Sequence, residues 1–157
     1  MLVNHSGLPI RVINRAAFLV DEVAKVAKKC KGEYLFVGPE HDKSGEGYGL
    51  DFYRNKSGKG WEKTNFFWFG IWSQYWEQCG KALCFGIKDT MKAEKKAFLE
   101  SYPGKTERFV NPDDPSDVWT LAWIPEADIT ESASGEDSVA RIWARIQPII
   151  GRVSSAT

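Results

Sequence analysis

The stretch NFFWFGIWSQYWEQCGKALCFGIKD, residues 65–89, decides the fold of this chain. Residues 66–72 are a run of aromatic and β-branched side chains without simple alternation, which predicts a strand whose two faces are both covered. Ser73 can cap a short helix of about two turns, and Gly80 can end it. Residues 82–87 predict a second apolar strand. A strand, a helix and a strand in this order allow a parallel pair joined by a right-handed crossover.

The rest of the chain supplies elements around this stretch. Residues 16–29 carry apolar side chains at the spacing of an amphipathic helix. The turn-rich sequence NKSGKG, residues 55–60, predicts a hairpin between the second strand and the aromatic strand, whereas NPDDPS, residues 111–116, predicts a linker. Pro148 is expected to kink or shorten the last helix. Further strands are predicted at residues 34–37, 48–54 and 118–124, and further helices at residues 90–101 and from Asp137 or Ser138 onward.

The length of 157 residues fits one domain. We predict an α+β fold with a central mixed or antiparallel sheet of about five strands, flanked by about four helices. The predicted domain spans residues 16–150, between an N-terminal arm at residues 1–15 and a C-terminal tail at residues 151–157. No stretch is long and apolar enough to span a bilayer, and the N-terminus lacks a signal-peptide core, so we expect no membrane partner.

Aromatic residues make up 13% of the chain, which contains seven tryptophans. These rings can be core residues, or they can line a pocket or a partner surface. Tyr75 and Trp76 are neighbours in the predicted short helix, so their rings cannot both point inward. The preferred interpretation is a non-catalytic binding domain that recognises a protein partner through a patch near Trp61, Trp72, Tyr75 and Trp76. An alternative is a small-molecule binding protein with an aromatic pocket.

Lysine plus arginine balance aspartate plus glutamate, which makes nucleic acid a less favoured partner, because bulk positive charge is missing. The charges are unevenly distributed, since residues 109–140 contain no lysine or arginine while the chain before them is basic. This acidic segment is predicted either to pack against the protein's own basic body or to present a surface to a cationic partner. Its acidic residues are Asp113, Asp114, Asp117, Glu126, Asp128, Glu131, Glu136 and Asp137.

The cysteines and histidines do not form a recognisable reactive or metal-binding pattern. Cys30, Cys79 and Cys84 are odd in number and show no CxxC spacing, which indicates reduced thiols in a cytoplasmic protein. His5 lies in the terminal arm and His41 in a charged loop, so a catalytic triad or a histidine-rich metal site lacks its parts. We therefore expect no metal and no cofactor, and the preferred interpretation is not an enzyme.

The order of one helix, three strands, a helix and a strand across residues 16–87 is similar to the core of the restriction-endonuclease-like PD-(D/E)XK family. In that family an Asp on the second strand and a D/E-x-K motif on the third hold a divalent metal against a phosphodiester. Asp51 matches the Asp, but the third strand lacks the second motif, and Glu62 and Lys63 are adjacent instead of separated. The resemblance implies a divergent nuclease-like protein that acts on nucleic acid with Asp51 as a metal ligand. Alternatively, it implies a scaffold that has lost metal chemistry, or one that takes its lysine from Lys59 or Lys63.

Overall fold

A computed structural model of the chain describes residues 10–29, 34–41, 47–54, 65–72, 81–102, 104–125, 129 and 135–155. Three helices and six strands lie in this described part. The helices are α1 (Ile10–Lys29), α2 (Lys92–Ser101) and α3 (Gly135–Ser155). The strands are β1 (Tyr34–His41), β2 (Gly47–Arg54), β3 (Phe67–Trp72), β4 (Cys84–Lys88), β5 (Thr106–Asn111) and β6 (Asp114–Trp123).

The six strands form one sheet in the order β1-β2-β3-β4-β6-β5, and every neighbouring pair is antiparallel. The first four strands follow one another in chain order. β6 then pairs with β4, and β5 lies outside β6 at the edge of the sheet. The predicted single α+β domain is confirmed. Its sheet, predicted as mixed or antiparallel, is antiparallel and has one strand more than expected.

One face of the sheet packs against the helices, and we term it the helix face. Register places Leu50 opposite Phe69 and Phe52 opposite Phe67, and all four side chains are buried there. Because side chains alternate along a strand, these positions form continuous apolar rows. Helix α1 buries one stripe in the same core, made of Val12, Ala16, Leu19, Val20, Val23 and Ala24.

The core on the helix face is largely aromatic. The ring centroid of Phe67 lies 5.5 Å from that of Phe52, 6.0 Å from that of Phe85 and 6.2 Å from that of Phe98. Phe98 belongs to α2, so these contacts join the helix to three strands. Tyr102, just after α2, adds a hydrogen bond from its hydroxyl to the carbonyl oxygen of Trp123 at 2.6 Å. The core therefore fixes α2 to the sheet through rings.

The expectation of a parallel pair within residues 65–89 is wrong, because β3 and β4 run antiparallel with Trp68 opposite Gly86. A parallel connection needs about a dozen residues or more for a crossover. The connection here, residues 73–83, has eleven residues and is shorter than such a crossover requires. The antiparallel pairing that the predicted hairpin requires between the second strand and the aromatic strand is confirmed for β2 and β3. The predicted turn at residues 55–60 lies outside the described residues.

Residues 111–116 are not a linker. They contain the turn of a hairpin, in which Asn111 pairs with Asp114, and the start of β6. The backbone N–H of Asp113 donates to Asn111 Oδ1 at 3.0 Å, which is the local bond that Asn favours in turns. The turn signal in NPDDPS was thus real, but it joins two strands, and the first of them, β5, was not predicted.

Two helices extend beyond their predicted ends. α1 begins at Ile10 instead of residue 16, and α3 begins at Gly135 and continues past Pro148 to Ser155. A proline inside a helix removes one backbone hydrogen bond without obliging the helix to stop. The predicted short helix between Ser73 and Gly80 lies outside the described residues. None of the helices in the described part is long and apolar enough to cross a membrane.

Candidate functional site

The sheet carries a second apolar cluster on the side opposite the helices. Cys84, Leu121 and Trp123 are buried in it, and half-buried rings pack around them. We term this side of the sheet the tryptophan face. Within the part of the chain that the structure describes, the cluster consists of strand residues. The half-buried rings are those of Trp68, Trp72, Phe109 and Trp119.

A cavity of about 220 Å³ opens on the tryptophan face. Its volume is below the roughly 300–1,000 Å³ of pockets that enclose drug-sized ligands. It therefore fits a small molecule, or one chemical group of a larger molecule. Among the described residues, the apolar lining includes Trp68, Trp72, Phe109, Trp119, Leu121 and Gly86, and the polar lining includes Asp51, Asn65, Asn111 and Asp117.

Gly86 lies at the base of the cavity, where two other lining side chains pack against it. Register places Gly86 between Trp68 on β3 and Leu121 on β6. A Cβ atom added at Gly86 would lie 3.2 Å from Leu121 Cδ2 and 3.2 Å from Trp119 Cε3. These distances are shorter than ordinary van der Waals contacts between carbon atoms. The absence of a side chain at Gly86 thus lets Leu121 and Trp119 pack close to the backbone of β4.

Two further glycines allow one wall to lie flat on the sheet. A Cβ atom at Gly49 would lie 2.7 Å from Trp68 Cζ2, and a Cβ atom at Gly70 would lie 2.9 Å from the same atom. Gly49 and Gly70 are paired across β2 and β3. Only a bare backbone at both positions lets the indole approach so closely. The orientation of Trp68 is therefore built into the sequence of two strands.

The other rings are held by contacts within the sheet. The ring of Trp72 lies edge-on to that of Trp68, with centroids 5.6 Å apart and planes at 82°. Phe109 on β5 is opposite Trp119 on β6. The indole Nε1–H of Trp119 donates to Asp117 Oδ1 at 2.9 Å, which fixes the direction of that ring. The aromatic walls are therefore preformed.

Two carboxylate and amide pairs line the cavity from different strands. Asn65 Nδ2 donates to Asp51 Oδ1 at 2.5 Å, and Asn111 Nδ2 donates to Asp117 Oδ2 at 3.3 Å. Asp51 belongs to β2 and Asp117 to β6, with β3 and β4 between them. No lysine or arginine is among the described residues that line the cavity. The charged side chains among these described residues are the two carboxylates of Asp51 and Asp117.

Lys88 lies next to the cavity and interacts with one of its walls. Its Nζ is 5.1 Å from the centroid of the Trp119 ring and 4.0 Å from Asp117 Oδ1. Register places Lys88 directly opposite Trp119. A ring face and a carboxylate at this edge of the cavity thus already hold one ammonium group of the protein.

The negative charges on the tryptophan face also affect the pKa of Tyr53. Burial raises the pKa of Tyr53, and the charges of Asp51 and Glu40 raise it further. Tyr53 lies two residues after Asp51 on β2, so their side chains point to the same face of the sheet. Glu40 is opposite Gly49, which places its side chain on this face as well. Negative charge on this side of the sheet favours the neutral phenol.

The structure brings together two of the residues singled out in the sequence. Trp72 and Asp51 both line the cavity. Trp61, Tyr75 and Trp76 lie outside the described residues, so the protein-binding patch of which they are part stays a prediction. The acidic segment at residues 109–140 contributes Phe109, Asn111, Asp117, Trp119 and Leu121 to the lining.

The role of Asp51 as a metal ligand also stays a prediction. Its carboxylate accepts a hydrogen bond from Asn65. The described residues contain no group of three or more histidine, cysteine, aspartate or glutamate side chains placed to hold a metal ion. No family model, no curated protein and no solved structure matches this chain.

Sequence reasoning missed Trp68, Phe109 and Trp119 as site residues. The expectation that both faces of β3 are equally covered concealed an alternation, since Trp68 and Trp72 are half-buried while the residues between and beside them are buried. Period-two spacing places Trp68 and Trp72 on one face, and it places Asp117, Trp119 and Leu121 together on β6. That spacing was the available signal.

Proposed function

We propose that the protein is a small-molecule binding domain whose ligand enters the cavity on the tryptophan face. The observation that carries this proposal is a preformed cavity with a glycine at its base and four aromatic walls. Protein ligand sites are typically concave, mostly apolar and equipped with few polar groups. This lining matches that description, because its ten residues include four polar side chains.

The rigidity of the walls supports binding over a purely structural role. Aromatic rings give large contact areas with few rotatable bonds, so an ordered aromatic wall loses little entropy when a ligand arrives. Trp68 is held against two glycines, and Trp119 is held by Asp117. A core cluster with a structural role alone would be expected to fill its own interior, as protein cores do.

The experiment that tests this function is a fragment screen followed by NMR on the isotope-labelled protein. Trp143 on α3 is an internal control, because it is half-buried against the core on the helix face. We expect binding fragments to shift the indole Nε1–H signals of Trp68, Trp72 and Trp119 and to leave that of Trp143 in place.

A matched pair of variants makes the test specific. Trp119→Leu removes a cavity wall, whereas Trp143→Leu makes the same change on the other side of the sheet. Fragment affinity is expected to fall about fivefold or more in the first variant, since an aromatic wall contributes about 1 kcal/mol or more to contact with a ligand. A screen without binders, or equal losses in both variants, would refute the function.

A further inference from the structure

We infer that the group bound in this cavity is an organic cation with a methylated ammonium centre. This inference rests on the proposed function and names the class of ligand for the same site. It follows from the rings, the charge of the lining, the behaviour of Lys88 and the hydrogen bonds already made by the carboxylates.

The rings supply the first step. Trp68, Trp72, Phe109 and Trp119 converge on one cavity of about 220 Å³. The face of an aromatic ring attracts a cation within about 6 Å of its centroid, and tryptophan is the best of the three aromatic residues for this. Three indoles and a phenyl ring around one space therefore favour a cation over an anion.

The charge of the lining gives the second step. Asp51 and Asp117 both line the cavity, and no basic residue does so among the described residues. An anionic ligand would be repelled by both carboxylates. A neutral apolar ligand would gain nothing from them and would remove them from water at a cost. A cation turns both charges into attractions.

Lys88 shows that this geometry suits an ammonium group. Its Nζ lies over the Trp119 ring and within 4.0 Å of Asp117 Oδ1, which is the pairing of ring and carboxylate that an organic cation would use. Lys88 is not among the lining residues. It therefore acts as a neighbour that competes for part of the negative charge.

Methylation follows from the hydrogen bonds. A primary ammonium carries three N–H donors that must find acceptors when it leaves water. Here six of the ten described lining residues are apolar and offer no side-chain acceptor, and the carboxylates of Asp51 and Asp117, which already accept hydrogen bonds, lie on β2 and β6 with two strands between them. An ammonium whose hydrogens are replaced by methyl groups needs no acceptors, and its methyl groups pack against the rings.

The test compares choline with its neutral isostere, in which carbon replaces the quaternary nitrogen. The two probes have the same shape and differ in charge. Binding is followed by the indole signals of Trp68 and Trp119 and by calorimetry. We expect choline to bind about five- to thirtyfold more tightly than the isostere, because a desolvated cation over a ring gains about 1–2 kcal/mol. Ethanolamine, a primary ammonium, is expected to bind more weakly than choline.

Charge variants then locate the effect. Asp117→Asn keeps an oxygen that can accept from Trp119, and Asp51→Asn provides a second site in case the first variant folds poorly. Each is expected to weaken choline several-fold and to leave the isostere unchanged. Asp113→Asn is the matched control, because Asp113 is exposed and lies outside the lining. Lys88→Gln is expected to strengthen choline binding.

The outcomes separate this inference from the proposed function. If the isostere binds as well as choline, or if both carboxylate variants keep full affinity for choline, the cation inference is overturned while small-molecule binding stands. If neither probe shifts the indole signals, the inference is overturned, and the fragment screen decides the proposed function independently.

Discussion

Gly86 occupies the position on β4 where any side chain would enter the cavity. Gly86→Ala adds one methyl group, for which Leu121 and Trp119 must each move by a few tenths of an ångström. The loss of backbone freedom in the unfolded chain favours the folded variant by about 0.4–1 kcal/mol, and crowding opposes this. We expect the free energy of unfolding to change by about 1 kcal/mol or less, while ligand affinity falls about tenfold.

Both quantities are measurable on the same sample, by denaturant unfolding and by the indole signals during ligand titration. Affinity that stays at the wild-type value would show that ligands do not reach the floor between Trp68 and Leu121. A collapse of stability would instead show that Gly86 serves backbone packing. The proposed role requires that stability and affinity respond separately.

The contact between α1 and β2 includes a hydrogen bond from the Tyr48 hydroxyl to Asp21 Oδ1. This bond raises the pKa of Tyr48 to about 12, with smaller contributions from burial and from the charge of Asp21. An unperturbed tyrosine has a pKa of about 10. Between these values the folded protein keeps a proton that the unfolded chain has released, so stability falls as the pH rises from about 10 to about 12.

Tyr48→Phe removes this pH-dependent contribution to the free energy of unfolding. We expect its free energy of unfolding to decrease less steeply than that of the wild type across the same pH range, and to be about 1 kcal/mol lower at neutral pH. Tyr53 contributes a shift of the same direction to both proteins. Parallel stability curves for the two proteins above pH about 10 would contradict a bond between Tyr48 and Asp21.

Individual helices and strands were predictable where their apolar residues form a long, regular pattern. The buried stripe of α1 and the aromatic run of β3 are long and apolar, so their type was evident from the sequence. Edge strand β5, TERFVN, is mostly exposed or half-exposed, so it carries no apolar row that would mark it as a strand. Its existence depends on pairing with β6, which is a tertiary effect.

The site was predictable in part for the same reason. Trp72 and Asp51 stood out by residue type, and both line the cavity. The cavity depends on residues of different strands, such as Gly86, which lies beside Trp68 and Leu121 only through strand register. Register between β4 and β6 joins segments that are far apart in the chain. No local pattern of residues could reveal that juxtaposition.

At the scale of the whole molecule, stability depends on the aromatic core of the helix face. Phe67 is fully buried and contacts the rings of Phe52, Phe85 and Phe98. Phe67→Ala is expected to lower the free energy of unfolding by about 3–5 kcal/mol, because it removes a large apolar surface and leaves a void. The total free energy of unfolding of a small domain is only about 5–15 kcal/mol.

Phe18→Ala is the matched control for this measurement by denaturant unfolding. Phe18 is 42% exposed on α1, and Arg15 lies over its ring at 5.2 Å. Its loss should cost about 1 kcal/mol or less. Similar losses at the two positions would mean that the rings around Phe67 are not the centre of the core.

The detour in strand order, with β6 beside β4 and β5 outside it, has a consequence for when the cavity can form. A chain that has assembled only its first four strands has Trp68 and Trp72 but lacks the wall from β5 and β6. During synthesis the site can be completed only once the chain up to Trp123 has left the ribosome. A ligand bound between β3 and the β5–β6 hairpin would stabilise that hairpin against local opening. It would therefore slow amide hydrogen exchange in β5 and β6.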